Sequence, residues 1–443
     1  MKIIKAPAHK LPVLPEGTAI KWSCWNDEVI YNNRKMIFNT LYRSAILVDE
    51  DFCHETLQAE EQGLLQELGI LVPADKEELA DFEQSYIEAK CDLSYIDLTI
   101  VSSNQCQMNC AYCFEGNKPD KKLDNVTMDD IMSFLDRRKN VCKRLRVTWF
   151  GGEPLLGYSQ MRRLSERIID FCNKNHIDYS ADITTNGYAL TRERCNELIN
   201  QMLVRRFIIT VDGLQSVHDA RRPLLNGGGT FERIWHNIKL LVDAGAWVTI
   251  RMTIDRDNVN EIPAFLNSLA ESELARRTGL TFCRTIDINF TSSTVRSKLF
   301  TEDEFADVEW KLMLHAHKLG LWRFCLPGSA PLGGCLRDGD IVIGTNGEIY
   351  KCLDTLGDTR WISGHISETE KADMPEWFSA WHGWLPSKSE KCGSCKLLPL
   401  CSGGCPHNAL FKDKKHGAES QCPDWKPNYK RQIIEIIKEN DGK

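Results

Sequence analysis

The sequence predicts an α/β fold, a partial (β/α)6 barrel, between a small N-terminal α+β domain and a cysteine-rich C-terminal domain. Between residues 93 and 320, short apolar runs alternate with amphipathic stretches of helical period, which predicts parallel strands joined by right-handed crossover helices. After residue 320 this periodicity fades, while Cys, Gly, Pro and Trp become frequent. We therefore predict domains at residues 1–92, 93–320 and 321–443.

The N-terminal domain is predicted from a hairpin and a helix. Residues 28–31 and 35–39 are strand candidates, and the Asn-Asn pair at 32–33 tolerates the left-handed backbone that a tight turn needs. Leucines on one helical face follow at 57–68, and Gly69 ends that helix. We predict a winged-helix-like domain. The acidic second half disfavours the alternative of a DNA-binding winged helix.

The central domain contains the strand candidates that define the barrel. Helices are predicted between the strands, for example at 230–243 and 301–318. Active sites of parallel-strand folds lie at the carboxyl ends of the strands, so motifs at those ends are the candidates for function. The strand candidates are residues 95–101, 145–150, 180–184, 206–211, 247–254 and 280–288.

Composition excludes several classes of function. The 443 residues have a net charge of −7, which disfavours nucleic-acid binding. We find neither an apolar run of ~20 residues nor a secretory signal, so we predict a cytoplasmic protein without a membrane span. Clustered cysteines in a reducing compartment indicate metal binding or catalysis, whereas scattered ones are common core residues. We assign to the core the scattered cysteines Cys24, Cys53, Cys91, Cys142, Cys172, Cys195 and Cys283.

The first cysteine group directly follows the first barrel strand. Cys106, Cys110 and Cys113 have the spacing Cys-x3-Cys-x2-Cys. Three thiolates can each hold one iron of a four-iron cluster, and the fourth iron stays open for a substrate or cofactor. A zinc site is the alternative, but no fourth Cys or His ligand follows the triad closely.

Other polar or glycine-rich motifs follow the next strands. PheGlyGlyGluPro at 150–154 lets the backbone approach a ligand closely, and its carbonyls and carboxylate can accept hydrogen bonds from an ammonium group. ThrThrAsnGly at 184–187 and ThrValAspGly at 210–213 follow the third and fourth strands, and Arg251 lies in the fifth. Each motif alone is also typical of an ordinary turn or surface charge.

Together, the cysteine triad and Gly-Gly-Glu-Pro resemble the radical S-adenosylmethionine (SAM) superfamily over residues 95–290. The resemblance implies that the methionyl group of SAM binds the open iron, and that one electron cleaves SAM to a 5′-deoxyadenosyl radical that abstracts hydrogen from a substrate. It further implies that Gly151, Gly152 and Glu153 hold the methionyl amine. Thr210 is then a candidate ribose contact, and Arg251 a candidate contact of the carboxylate.

The second cysteine group is a run of seven in the C-terminal domain. Its one Cys-x2-Cys element leaves a zinc ribbon as an alternative. The order of the seven, with Gly347 interposed, resembles the SPASM domain, which holds two auxiliary clusters, so the resemblance implies three four-iron clusters in all. By this resemblance, the first auxiliary cluster has Cys335, Cys352 and Cys405, and the second has Cys392, Cys395, Cys401 and Cys422.

The resemblance leaves the first auxiliary cluster with three ligands. Cys325, ten residues before Cys335, is the predicted fourth ligand. Three alternatives stay open. Cys283 could be the ligand instead, the iron could be open to a substrate thiolate, or Cys325 could simply pack beside Trp322 and Phe324.

The resemblance implies an enzyme that modifies a ribosomally made precursor peptide, most simply by crosslinking side chains, with an external one-electron reductant such as flavodoxin or ferredoxin. The N-terminal domain would bind the leader of the precursor as an added strand. A formylglycine-forming sulfatase maturase is the alternative. Such relatives have Asp directly after the cysteine that matches Cys352, whereas this chain has Leu353 and then Asp354. Peptide epimerisation and a non-enzymatic iron–sulfur redox sensor also stay open.

Overall fold

The chain forms two compact units in a computed structural model. The first unit comprises Met1–Cys91, Arg323–Leu336 and Ala380–Lys443, and the second comprises Asp92–Trp322 and Arg337–Ser379. The division into three domains at residues 92 and 320 stays a prediction. The structure describes all residues except 16, 114, 116–118, 287–295, 328–331, 333–334, 369–373, 412–420 and 442–443.

The described residues contain strands and helices in the following order. The strands are β1 Lys2–Lys5, β2 Ile20–Trp22, β3 Asn26–Tyr31, β4 Arg34–Asn39, β5 Ser44–Asp49, β6 Leu71–Pro73, β7 Tyr95–Ser103, β8 Arg144–Gly151, β9 Asp178–Thr185, β10 Val204–Thr210, β11 Trp247–Ile254, β12 Thr278–Arg284, β13 Asp340–Ile343, β14 Glu348–Tyr350 and β15 Gly364–His365. The α-helices are α1 Ala59–Glu67, α2 Glu78–Cys91, α3 Asn125–Asp136, α4 Tyr158–Asn175, α5 Arg192–Asn200, α6 Gln215–Arg221, α7 Phe231–Asp243, α8 Ile262–Glu271, α9 Glu302–Lys318, α10 Glu376–His382, α11 Glu390–Gly393, α12 Leu398–Cys401, α13 Pro406–Leu410 and α14 Tyr429–Asn440.

The first unit contains an antiparallel sheet of order β1-β5-β4-β3 and the separate pair β2-β6. The predicted hairpin is confirmed, because β3 and β4 pair around Asn32 and Asn33, whose φ angles are 46° and 59°. Left-handed Asn residues fit the twist of a two-residue hairpin turn. The predicted helix stop is confirmed at Gly69, which has φ 70° just after α1.

Residues before 92 and after 380 share a hydrophobic core in the first unit. Trp25, Phe82 and Tyr86 form one buried cluster with Cys392 and Leu398. Burying the side chains of Phe82 and Leu398 contributes roughly 1.5–3 kcal/mol each. The N-terminal residues are therefore structurally tied to the last part of the chain, which no local sequence pattern reveals.

The second unit contains a sheet of order β12-β11-β10-β9-β8-β7-β13-β14-β15. The strands β7 to β12 follow one another in chain order, and each pairs parallel with the next. This confirms the predicted α/β fold with a parallel sheet, and its curvature into a partial barrel stays a prediction. β12 ends at Arg284, so the predicted strand at 280–288 is too long at 285 and 286, while 287 and 288 lie outside the described residues.

The helices that connect these strands bring the motifs to one edge of the sheet. α9 begins directly after Thr301, whose Oγ1 accepts a hydrogen bond from the Glu304 amide at 3.2 Å. The Thr301 amide in turn donates a hydrogen bond to the Glu304 carboxylate at 2.9 Å. This capping box fixes the start of the helix predicted at 301–318.

Among the described residues, no helix is both long and apolar enough to cross a membrane.

Candidate active site

A cavity of about 240 Å³ opens at the carboxyl ends of β7 to β12, within the second unit. Its lining combines thiols, backbone of two glycines, a hydroxyl and a guanidinium group. Seven of the eight residues predicted to bind the first cluster or the cofactor therefore lie around one space. These seven are Cys106, Cys110, Cys113, Gly151, Gly152, Thr210 and Arg251.

The two glycines allow the end of β8 to approach the chain that leads into the cysteine loop. Gly151 has φ 138°, and a Cβ there would collide with the carbonyl oxygen of Ser103. A Cβ on Gly152 would lie 2.7 Å from the carbonyl oxygen of Gln105 and collide with that of Asn104. Side chains at these positions would separate the two segments, so glycine is required here for packing as well as conformation.

Glu153 lies behind the cavity and is fully buried. Its carboxylate accepts hydrogen bonds from the Leu155 amide at 3.0 Å, from Thr185 Oγ1 at 2.6 Å and from the Asn186 amide at 2.7 Å. Burial raises the pKa of Glu153, although these hydrogen bonds oppose the rise. The side chain thus joins the ends of β8 and β9, and it is the one predicted cofactor-binding residue that does not line the cavity.

The cysteine loop is held from its other side by the chain after α6. The Asn109 amide donates to the Pro223 carbonyl at 2.9 Å, and the Leu225 amide donates to the Gln107 carbonyl at 2.9 Å. Asn186, at the end of β9, directs Nδ2 toward Cys106 Sγ at 3.7 Å. The loop is therefore held by the chain after α6 and by the end of β9, as a preorganised ligand set requires.

A buried polar network lies beneath Tyr112, in the middle of the cysteine loop. Its hydroxyl donates to Asp212 and accepts a hydrogen bond from Arg222 Nη1 at 2.6 Å. Arg221 then joins Asp212 at 3.3 Å to Asp255 at 2.8 Å. Burial raises the pKa of Tyr112 well above its usual value, so the phenol stays a neutral donor. The network connects the loop to the ends of β10 and β11.

Thr210 and Arg251 are paired neighbours on β10 and β11. Arg251 Nε donates to Cys283 Sγ at 3.3 Å, and Cys283 also lines the cavity. The prediction that Cys283 is a core cysteine is therefore wrong. Side chains alternate along β12, so that Phe282 is buried in the core whereas Cys283 is only partly buried and faces the cavity.

The other scattered cysteines divide into two groups. Cys142, Cys172 and Cys195 are buried, which confirms their assignment to the core. The same assignment is wrong for the exposed residues Cys24, Cys53 and Cys91, which lie at the surface of their segments.

The cavity lining contains three further residues that are candidates for function. Asp354 lines the cavity although it follows β14, far along the chain from the triad. Asn186 and Arg222 also line it. Asn186 lies in a motif noted at a strand end, whereas Arg222 follows α6 and had no sequence pattern to indicate it.

Seven of the C-terminal cysteines lie in the first unit, and three of them receive hydrogen bonds from two side chains. Lys426 Nζ lies 3.5 Å from Sγ of both Cys395 and Cys422, and Gln421 Nε2 donates to Cys392 Sγ at 2.9 Å. Cationic and amide donors around thiolates fit an iron–sulfur cluster, whose sulfurs accept such bonds. Cys325, Cys335, Cys401 and Cys405 also belong to the first unit, and Cys352 belongs to the second.

In the part of the chain that the structure describes, no three Cys, His, Asp or Glu side chains converge on one ion position. Structural zinc requires four ligands at about 2.0–2.3 Å, whereas the thiolates of a cluster surround a larger group. The triad around a cavity of about 240 Å³ is therefore compatible with a cluster and an adjacent organic cofactor.

Residues 100–269 match the radical SAM superfamily. These residues form a radical SAM domain. The match begins in β7 and includes the cysteine triad, both glycines, Thr210 and Arg251. The predicted family is confirmed at the level of this domain.

Two relatives show how far the likeness extends. An uncharacterized protein of Methanocaldococcus jannaschii is 34% identical over 134 residues, which are 29% of this chain and 43% of that relative. A cysteine-type anaerobic sulfatase-maturating enzyme of Clostridium novyi is 23% identical over 331 residues, which are 69% of this chain and 86% of that enzyme. This chain thus spans less than half of the first relative and most of the second.

Two solved structures share the fold around the radical SAM domain. Native anSMEcpe with bound AdoMet and Cp18Cys peptide has a TM-score of 0.58 at 16% identity, with 78% of this chain and 97% of that one covered. Streptococcus suis SuiB bound to precursor peptide SuiA has a TM-score of 0.52 at 16% identity, with 91% and 100% covered. The second likeness extends over more of the chain, and both concern the fold alone.

Proposed function

We propose that this chain is a radical SAM maturase that modifies a ribosomally made precursor peptide, forming a crosslink between its side chains. The observation that carries the proposal is the single cavity around which the three cysteines, the two glycines, Thr210 and Arg251 meet. A bound cluster and SAM would supply the radical that abstracts hydrogen, and the protein residues would position the reactants.

The residues of the cavity have distinct roles in this proposal. Cys106, Cys110 and Cys113 hold the cluster, and the backbone carbonyls beside Gly151 and Gly152 accept hydrogen bonds from the methionyl ammonium. Because the Glu153 carboxylate is already satisfied by three donors, its role is to position this backbone. Thr210 and Arg251 present a hydroxyl and a cation to the ribose and carboxylate, respectively.

The C-terminal cysteines hold two auxiliary clusters in this proposal. Cys335, Cys352 and Cys405 serve the first, with Cys325 as the fourth ligand, and the second has four ligands of its own. The exposure of Cys325 is compatible with such a ligand, since a packed core cysteine would be buried. Electrons come from a flavodoxin or ferredoxin.

The proposal is tested by anaerobic reconstitution, reduction and mass spectrometry. The peptide encoded by a small open reading frame beside the gene is the substrate to use. We expect 5′-deoxyadenosine and a peptide that has lost two hydrogen atoms for each modification. A peptide of unchanged mass with inverted stereochemistry would instead identify an epimerase, and a protein that leaves SAM intact would be a redox sensor.

Formylglycine formation on a sulfatase is the second candidate function. The Clostridium novyi relative is named for that activity, and Asp354 lines the cavity even though it stands one position later than expected. A carboxylate beside the substrate can accept the proton that leaves an oxidised thiol or alcohol. A synthetic cysteine-containing sulfatase peptide is the substrate that distinguishes this candidate, because its product is an aldehyde.

Asp354→Asn is expected to lower the yield of modified peptide by about 100-fold while SAM cleavage continues, since removing a general base costs 10²–10⁴ in rate. The measurement is the ratio of modified peptide to 5′-deoxyadenosine. Asp358→Asn is the matched control, because Asp358 caps a short helix nearby and does not line the cavity. Equal ratios in the wild type and Asp354→Asn would exclude a base role.

The N-terminal residues are proposed to bind the leader peptide as an added strand on an edge of their sheet. β3 is such an edge, and its Ile30 is 51% exposed. Strand addition relies on backbone hydrogen bonds together with alternate side-chain contacts. Deleting residues 1–90 is not a clean test, because they share a core with Cys392 and Leu398.

Ile30→Asp is expected to weaken leader binding by about tenfold, because a charge on an edge strand opposes strand pairing. Fluorescence anisotropy with a labelled leader peptide measures the affinity, and SAM cleavage without peptide should stay at the wild-type rate. Leu79→Asp is the control, since Leu79 is also exposed but lies on α2. Unchanged affinity in Ile30→Asp would exclude this edge.

A further inference from the structure

The ammonium group of Lys426 lies against two thiols of the C-terminal cysteine run. Its Nζ is 3.5 Å from Sγ of both Cys395 and Cys422. Gln421 Nε2 donates to Cys392 Sγ at 2.9 Å. Three of the four cysteines proposed for the second auxiliary cluster therefore receive hydrogen bonds from one short segment.

The backbone holds this segment in place. The Gln421 carbonyl accepts a hydrogen bond from the Cys405 amide at 2.7 Å, and a Cβ on Gly404 would collide with that same carbonyl. The Lys426 amide donates to the Pro423 carbonyl at 3.0 Å, closing a turn directly after Cys422. The donors are thus fixed by the same close packing that fixes the ligands, as outer partners of a metal centre commonly are.

The chemistry of the site favours an anionic group beside Lys426. The side chain is half-buried, and withdrawing an ammonium from water is costly unless an anion accompanies it. A four-iron cluster with four thiolates is a net anion and gains one further negative charge on reduction. A fixed cation and hydrogen bonds to the sulfurs both stabilise the reduced form more than the oxidised form.

We propose that Lys426 sets the reduction potential of the second auxiliary cluster, making it easier to reduce. This inference rests on the proposed function, which supplies the cluster. The step is the gain of one electron from the external reductant, with no bond or proton changing place. Lys426 is a positioning and charge-balancing residue, whereas Gln421 adds a neutral hydrogen bond and a smaller effect of the same sign.

The test is a potentiometric titration followed by electron paramagnetic resonance. The parent protein is the variant with Cys106, Cys110 and Cys113 all changed to Ala, so that only the auxiliary clusters contribute signals. Dithionite is the reductant. Adding Lys426→Gln should move one of the two midpoints to a more negative potential and leave the other unchanged. Lys426→Arg should restore most of the midpoint, because it keeps the charge.

Lys430→Gln is the matched control, since Lys430 is exposed and its charge is screened by solvent. Full iron content with the parent midpoints in Lys426→Gln would overturn the inference and leave the proposed function standing. If Lys426→Gln loses the cluster, Lys426→Met, which keeps the length of the side chain without its charge, provides the second test, and an unshifted midpoint there would overturn the inference. A parent variant without iron would instead overturn the proposed cluster domain itself, and the inference with it.

Discussion

Changing Cys106, Cys110 and Cys113 together to Ala is expected to abolish SAM cleavage and to lower the iron content of the reconstituted protein by about a third. The cleavage is lost because no open iron remains to bind the methionyl group. Iron is lost only in part, because the C-terminal cysteines are untouched. The measurements are chromatography of 5′-deoxyadenosine and iron analysis of the same preparation.

The matched control changes three cysteines outside the clusters, Cys142, Cys172 and Cys195, to Ala. These side chains are buried in the same domain, so this variant reports any general effect of losing thiols from the core. This control variant should keep its iron and continue to cleave SAM, although its stability should be lower. If the triad variant still forms 5′-deoxyadenosine, the site assignment is wrong.

Gly152→Ala is expected to reduce SAM cleavage by roughly 100-fold, because displacing a reacting group by about 1 Å can cost that much. The new Cβ would lie 2.7 Å from the Gln105 carbonyl oxygen. Because this oxygen belongs to the backbone, it cannot rotate out of the way as the end of a flexible side chain can. The end of β8 and the cysteine loop must therefore separate. The rate of 5′-deoxyadenosine formation and the affinity for SAM measure the effect.

Gly63→Ala is the control for a glycine without a close backbone neighbour. Its Cβ would meet only Val13 at 3.6 Å, which is an ordinary contact, and Ala favours the helix in which Gly63 lies. This control should cleave SAM at the wild-type rate. A Gly152→Ala variant as active as Gly63→Ala would show that the close approach does not position the cofactor.

Much of the site was predictable because its motifs are local and its strands are periodic. The six parallel strands follow from alternation along the chain, and the carboxyl ends of such strands meet at one edge. The triad, the two glycines, Thr210 and Arg251 therefore converge as predicted. The turn at Asn32 and Asn33 was equally local.

The remaining features depend on side-chain direction and on contacts between distant segments. Glu153 follows the glycines directly, but no pattern indicates that three donors would bind its carboxylate behind the cavity. Asp354 reaches the cavity because β13 pairs with β7 and brings the following hairpin with it. The position of Cys283 could have been predicted from strict alternation in β12.

The proposed function requires the methionyl group of SAM to bind at the cavity lined by the cysteine triad. Electron–nuclear double resonance of the reduced protein, with SAM labelled with ¹⁵N and ¹⁷O in its methionyl group, detects such binding. We expect hyperfine coupling of both labels to a cluster, and the loss of this coupling when Cys106, Cys110 and Cys113 are changed to Ala. A reduced cluster that shows no coupling at saturating SAM, or coupling that survives the triple change, would exclude binding of SAM at this cavity.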